Sequence, residues 1–234
     1  MPLYGYPFYG FDPTYILVLI GVVISMIASS NVKRSFNKYS RLFSQRGIRA
    51  EQAAEMILKS AGVQGVVIQP VAGDLTDHYD PSSRILRLSQ SVYGSTSVSA
   101  IGVAAHECGH AIQHANSYAP LSIRSALVPV VNLASTASMP LIVLGLILGF
   151  TGLAQVGVIL FSAVLIFQLV TLPVEFDASG RAIRVLDSLG ILYGDEVTGA
   201  KRVLRAAALT YVASVVSTAL QLLRLLMLVN RRND

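Results

Sequence analysis

The sequence predicts a mainly α-helical integral membrane protein, with about four transmembrane helices and a small α+β region in its polar part. Three observations lead there. Hydrophobic residues make up 53% of the 234 residues and charged residues 13%, roughly half the charged share of an ordinary soluble chain. Mean hydropathy is +0.59, which excludes disordered, collagen-like and coiled-coil classes. The apolar residues are also clustered: no charge occurs from Pro13 to Val32, from Ser125 to Val174, or from Ala206 to Leu223. A hydrocarbon layer of roughly 30 Å takes about 20 residues of helix, so these runs hold one, two and one spans.

The elements follow in order. The first transmembrane helix falls near Tyr15–Ser30 and is retained as a span, since no Lys or Arg precedes it as a signal peptide requires. Tyr4, Tyr6, Phe8, Tyr9, Phe11 and Tyr15 crowd its start like an interfacial aromatic belt. Glu51–Ala61 has helix formers and apolar residues at helical spacing, and Gly62 stops it. Gly65–Val71 is β-branched and reads as a strand, Asp74–Ser83 as turns, and the alternating Ser83–Ser89 as a second strand. Ser95–Asn116 reads as a helix, ended before Pro120. The long uncharged run predicts an antiparallel pair near Ser125–Phe150 and Leu153–Leu172, turning around Gly149–Gly152. Pro173 is expected to kink or restart the chain, and Glu175–Leu189 returns to helical spacing in polar company. Val197–Asn230 is a last long helix. The organisation expected is a tail and first span (1–31), a polar region (32–124), a transmembrane hairpin (125–172), a polar helix (173–205), and a last transmembrane or interfacial helix with its tail (206–234).

Charge placement gives a topology. The intervals Val32–Arg124 and Val174–Arg205 hold ten and five Lys/Arg, and the turn near Gly152 holds none. Positive-inside bias puts both intervals on the cytoplasmic side and the N-terminus outside, in a multi-pass protein of the cell membrane. Arg231 and Arg232 disagree, since they lie outside if the last helix crosses fully; that helix is either re-entrant or interfacial, or the tail is a tolerated exception. The net charge of +5 does not signal nucleic acid, because the basic residues flank the spans and no recognition motif accompanies them. The one cysteine, Cys108, rules out an intramolecular disulfide framework. It falls on the apolar stripe Val98, Ile101, Ala105, Cys108 and Ile112, as a buried inert thiol would.

His106-Glu107-Cys108-Gly109-His110 is an HExxH on a predicted helix. Positions four apart differ by about 40° around a helix, so both imidazoles face one metal ion. Glu107, one step on, reaches a metal-bound water rather than the metal itself. Zinc brings the pKa of such a water to about 7, and a neighbouring carboxylate takes its proton as hydroxide attacks a carbonyl. The polar part of the chain then becomes a small α+β zincin-like catalytic region. Catalytic zinc takes three protein ligands. The candidates for the third are His114 a turn further along the helix, His78 in an expected turn, and Glu175, a carboxylate that directly follows the uncharged run.

The HExxH, two spans, and the segment Glu175-Phe176-Asp177-Ala178-Ser179 resemble the HtpX-like and CAAX prenyl protease-like membrane metallopeptidases. Closer still, DHYDPSSRILRLSQSVYGSTSVSAIGVAAHECGHAIQH with LPVEFDASGRA is similar to the YugP-type neutral zinc metallopeptidases over nearly the whole chain. The resemblance implies one Zn2+ held by His106, His110 and Glu175, with Glu107 as general base. It departs from the HtpX-like pattern at Ser179, where Asp would brace a ligand; Asp177 is the expected substitute, orienting one histidine. Two arguments from the residues agree on Glu175. The two spans return it to the membrane face of the HExxH helix, and His114 lies roughly 6 Å beyond His110 along the axis. His114 is therefore expected beside the site rather than on the metal. Arg181 and Arg184 are expected as membrane-flanking charges. The function implied is zinc-dependent endopeptidase activity on protein or peptide substrates at the bilayer. The rival is a catalytically silent membrane scaffold or transport accessory with a structural zinc, against which an intact Glu107 argues.

Overall fold

The computed structural model describes residues 12–231, so the aromatic residues before Asp12, and Arg232, lie outside the described residues. The chain is a mainly α membrane protein with a small α+β layer at one end. Its elements are α1 (Tyr15–Tyr39), α2 (Ala50–Ser60), β1 (Val67–Val71), β2 (His78–Asp80), β3 (Ile85–Ser89), α3 (Val98–Ala115), α4 (Ala119–Leu148), α5 (Thr151–Ser188) and α6 (Asp195–Asn230). Four of these, α1, α4, α5 and α6, are long and apolar enough to cross a membrane.

α1 and α6 pack antiparallel along their whole length. At one end Asp12 lies 3.6 Å from Arg231 and 3.8 Å from Arg224, whose guanidinium stacks over Tyr15 at 4.0 Å. Midway, the hydroxyls of Ser25 and Ser217 are 2.9 Å apart. At the other end Arg202 donates to the Tyr39 hydroxyl at 3.1 Å. α6 therefore ends level with the start of α1, matching it over a length sufficient to cross a membrane. Asp12 offsets the charge of Arg231 there.

α4 and α5 form the expected hairpin. Gly149 turns it in the left-handed conformation at φ 69°, where a glycine costs least. Small residues let the two backbones touch, as helix packing in lipid favours: a Cβ on Gly145 would lie 2.4 Å from the Ala154 nitrogen, and one on Gly157 2.8 Å from the Ser138 carbonyl.

Pro173 does not break the chain. α5 runs unbroken to Ser188, with Pro173 inside it. The ring removes one backbone donor, and the Thr171 hydroxyl bonds the Phe167 carbonyl at 2.8 Å one turn earlier. In surroundings without water, the remaining bonds of the helix have no competitor. Glu175 is thus mid-helix, rigidly held, and not at a helix start. Pro120 lies in the first turn of α4, a position where its missing N–H is harmless.

The sheet has strand order β1-β3-β2. β1 and β3 are parallel, with Val67 opposite Ile85; β2 and β3 are antiparallel, with Tyr79 opposite Leu86. The two expected strands are present but start later, because Gly65 and Arg84 adopt φ of 74° and 54°. β2 lies in the segment read as turns, and with it His78. It makes β3 the central strand, so the free edges belong to β1 and β2.

α3 is the hub of the polar layer. Its N-cap Ser97 accepts from the Ala100 N–H at 3.3 Å. Ile101, Ala104, Ala105, Cys108 and Ala111 are fully buried in a core shared with Ile57, Leu86, Leu88, Leu186 and Ile191. Burial lifts the Cys108 thiol well above its ordinary pKa, consistent with an inert packing role. On its other side α3 meets α5 and α6 through two glycines. A Cβ on Gly102 would lie 3.3 Å from the Ala200 Cβ, whereas one on Gly109 would lie 2.5 Å from the Ala178 carbonyl oxygen.

That difference sets a prediction. Alanine raises helix propensity at both positions by about 1 kcal/mol, but at Gly109 it collides with backbone that cannot rotate away, a cost of roughly 1–3 kcal/mol. Gly109→Ala is expected to lower the melting temperature of the detergent-purified protein clearly, and Gly102→Ala to leave it close to wild type. Equal melting temperatures for the Gly109 variant and wild type would refute the close packing of α3 on α5.

Candidate metal centre

The centre is built on α3 and α5. His106 and His110 stand one turn apart on α3, with ring centroids 4.7 Å apart. Glu175 projects from α5 between them: its Oε2 is 3.3 Å from His106 Nε2 and 3.6 Å from His110 Nε2. One ligand atom from each of the three lies within 4.8 Å of the others. Glu175 is 2% exposed, and its Oε2 has no hydrogen-bond partner. A buried carboxylate oxygen facing two imidazole nitrogens with no proton donor on it is the arrangement a divalent cation completes, and the N2O donor set suits zinc.

The opposite ring nitrogens are held in place. His106 Nδ1 is 3.1 Å from the Ser179 hydroxyl, and His110 Nδ1 is 3.1 Å from Gln113 Oε1. Gln113 is fully buried and donates from Nε2 to Asp177 Oδ2 at 2.8 Å and to the Val174 carbonyl at 2.9 Å. Arg181 pairs with the same Asp177 oxygen, and its guanidinium lies over the Tyr118 ring at 5.6 Å. Such partners leave each Nε2 free to ligate and fix the ring orientation. The expectation for Asp177 is therefore amended: it reaches His110 only through Gln113. Ser179 itself braces His106. Position 179 is where the family pattern has a bracing Asp, and the serine here fills that place; Gln113, three residues after His110 on the same helix, is the partner that sequence reasoning missed.

The remaining groups arrange themselves around this core. Arg124, near the start of α4, lies 3.6 Å from Glu175 Oε1, so one carboxylate oxygen faces a guanidinium and the other the two imidazoles. Glu107 is 7% exposed and lines the two cavities that meet at His106 and Glu175, together with Asp77 and Tyr211. Asp77 anchors β3, accepting from the Ser89 N–H at 2.7 Å and its hydroxyl at 2.9 Å. Burial raises its pKa, the charge of Glu107 adds to that, and the Ser89 bonds oppose it. His114 is outside the cluster: its Nδ1 is 2.9 Å from the Tyr79 hydroxyl. His78 bonds the Thr76 carbonyl at 2.8 Å and lines the outer cavity.

Comparison with known proteins agrees with this architecture. Residues 14–230 match the family model described as "Putative neutral zinc metallopeptidase". The chain is 45% identical over 219 residues to "Putative membrane protease YugP" of Bacillus subtilis (strain 168), covering 93% of this chain and 97% of that one. No solved structure matches. Zinc is the metal this relationship implies and peptide-bond hydrolysis at a membrane the general activity; His106, His110 and Glu175 are a cluster that could hold such an ion. The chain belongs to the neutral zinc metallopeptidase family.

Proposed function

We propose that the chain is a gluzincin-type endopeptidase in which His106, His110 and Glu175 hold a single zinc ion and Glu107 is general base, then acid. The observation that carries this reading is the convergence of Glu175 Oε2, buried and without a hydrogen bond, on the two Nε2 atoms of the HExxH histidines. Bound zinc supplies a water acidic enough to deprotonate near neutral pH and polarises the scissile carbonyl. Glu107 lies on the same helix between the two histidines, in the cavity where a substrate carbonyl has to sit. It takes the water proton and returns it to the leaving amine. Gln113, Asp177 and Ser179 keep the imidazoles aligned through the cycle. Arg124 holds Glu175 from its second oxygen. A scaffold with structural zinc has no use for a base that lines a cavity beside its ligands.

The catalytic layer is assigned to the cytoplasmic side. Support comes from the ten and five basic residues in the two intervals that form it, against none in the α4–α5 turn.

Three outcomes test these assignments. Glu107→Gln is expected to retain zinc and lose at least about a hundredfold in peptidase rate, the scale of a general base; wild-type-like turnover of that variant would remove Glu107 from the mechanism. Metal analysis of Glu175→Ala should find most tightly bound zinc gone, while His114→Ala keeps the wild-type stoichiometry. Near-full zinc in the first variant would mean another residue completes the site. For topology, Lys59→Cys in a Cys108→Ala background should react with an impermeant maleimide only after cells are permeabilised, and labelling of intact cells would invert the assignment.

A further inference from the structure

The space beside the metal centre divides into two cavities with different walls. Both contain His106, Glu107 and Glu175, and Asp77 and Tyr211 line both. The outer one, of about 310 Å³, mixes His78, Tyr79 and Arg124 with Leu121 and Val128. The inner one, of about 280 Å³, is walled by Phe36 of α1, Val103 of α3, and Val203, Leu204 and Ala207 of α6. Val103 stands one turn before Glu107 on the same face of α3, so this apolar wall continues directly from the proposed general base. Phe36, Val203 and Leu204 are buried members of the core of the polar layer, and Val103 packs against it. The inner cavity is therefore a recess in that core, not a lipid-facing seam. Tyr211 and the residues of the metal centre apart, its polar groups are committed or peripheral. The Thr210 hydroxyl donates to the Ala207 carbonyl at 2.6 Å, Ser179 holds His106, and Asp77 accepts twice from Ser89. Ser29 and Lys33 are exposed and stand at the rim.

We infer that the inner cavity is the specificity pocket of the peptidase, receiving a large apolar side chain of the Leu, Met or Phe kind from a residue next to the scissile bond. The inference rests on the peptidase reading above. The occupant follows from where the pocket lies. A scissile carbonyl seated beside Glu107 is at the meeting point of the two cavities, because both share Glu107 with His106 and Glu175. An extended chain points successive side chains to opposite sides, so the two residues flanking that carbonyl and its amide meet different cavities. A polar side chain entering the inner one would exchange water for a wall with few free donors or acceptors, which is unfavourable. An apolar one gains by leaving water. The outer cavity, with His78, Tyr79 and Arg124 on its wall, imposes no such choice.

The test uses the full chain in detergent, unstructured peptides of randomised sequence, and mass spectrometry to identify the cleaved bonds. One position flanking the cleaved bond should favour Leu, Met and Phe over Ala, Gly and Asp at least about tenfold, the scale of added methylenes in a fitted pocket. The other flanking position should show no such preference. Ala207 is half-buried, so Ala207→Leu fills the recess from its α6 wall. In that variant the kcat/KM ratio of a Phe peptide to its Ala counterpart should fall about tenfold. The ratio should stay at the wild-type value in Ile166→Phe, on a position of α5 that is 54% exposed. If Ala207→Leu does not fold with its zinc, Val32→Phe makes the same test, entering the cavity from α1. A preference for Asp and Glu, which Lys33 at the rim would impose, overturns the assignment. So does cleavage without preference at either position, or an unchanged ratio in the pocket variant. Cleavage of no peptide by the zinc-loaded wild type would instead count against the peptidase reading. The pocket is then decided without turnover, by the affinity of the Glu107→Gln protein for the two peptides. Tighter binding of the Phe peptide by about tenfold supports it, and equal binding overturns it.

Discussion

The metal centre depends on how closely α3 lies against α5. Ligands on two helices meet one ion only if the helix backbones are nearly in contact. Here the residue between the two histidines that faces α5 is Gly109, whose missing Cβ would stand 2.5 Å from the Ala178 carbonyl oxygen. Ala178 is less than one turn from Glu175 and adjacent to Ser179. One close approach therefore sets both the distance of Glu175 from the imidazoles and the contact of Ser179 with His106. A side chain at 109 would move all of them together, which is why the small residue inside the HExxH carries as much geometry as the charged ones.

The rest of the fold serves that approach. The α4–α5 hairpin leaves the polar layer at Arg124 and returns to it at Glu175, with glycines at 145 and 157 holding the two helices tightly paired. Because α5 passes through Pro173 without a break, the apolar helix and the helix that carries Glu175 are one continuous element. α1 and α6 form a second antiparallel pair, tied at its ends by Asp12 with Arg231 and by Tyr39 with Arg202. Buried Glu196 joins this pair to the polar layer, accepting from the Gln45 and Tyr193 N–H groups at 2.8 and 3.1 Å. The candidate metal centre thereby lies at the junction of the apolar helices and the polar layer.

Much of this was legible in the residues. Four spans follow from the charge-free runs, because excluding charge from lipid is a strong and local constraint. The α3 helix and its two histidines follow from periodicity. Three features escaped for physical reasons. Pro173 reads as a kink or a restart of the chain because in water it would disrupt the helix, while apolar surroundings hold α5 together. β2 is three residues long in a segment rich in turn formers, and it forms by pairing with β3 rather than by its own propensity. The family pattern marks position 179 as the place of a bracing Asp, but that a serine there reaches His106, 73 positions away, becomes visible only when α3 and α5 lie side by side.

The central claim is that one zinc ion is held by two imidazoles and a carboxylate, with water in the open position. X-ray absorption at the zinc edge of the purified protein addresses it directly. The account predicts a first shell of nitrogen and oxygen alone, at about 2.0–2.2 Å, with multiple-scattering features of two imidazoles. A sulfur scatterer near about 2.3 Å would bring Cys108 out of the core and onto the metal, and would contradict it.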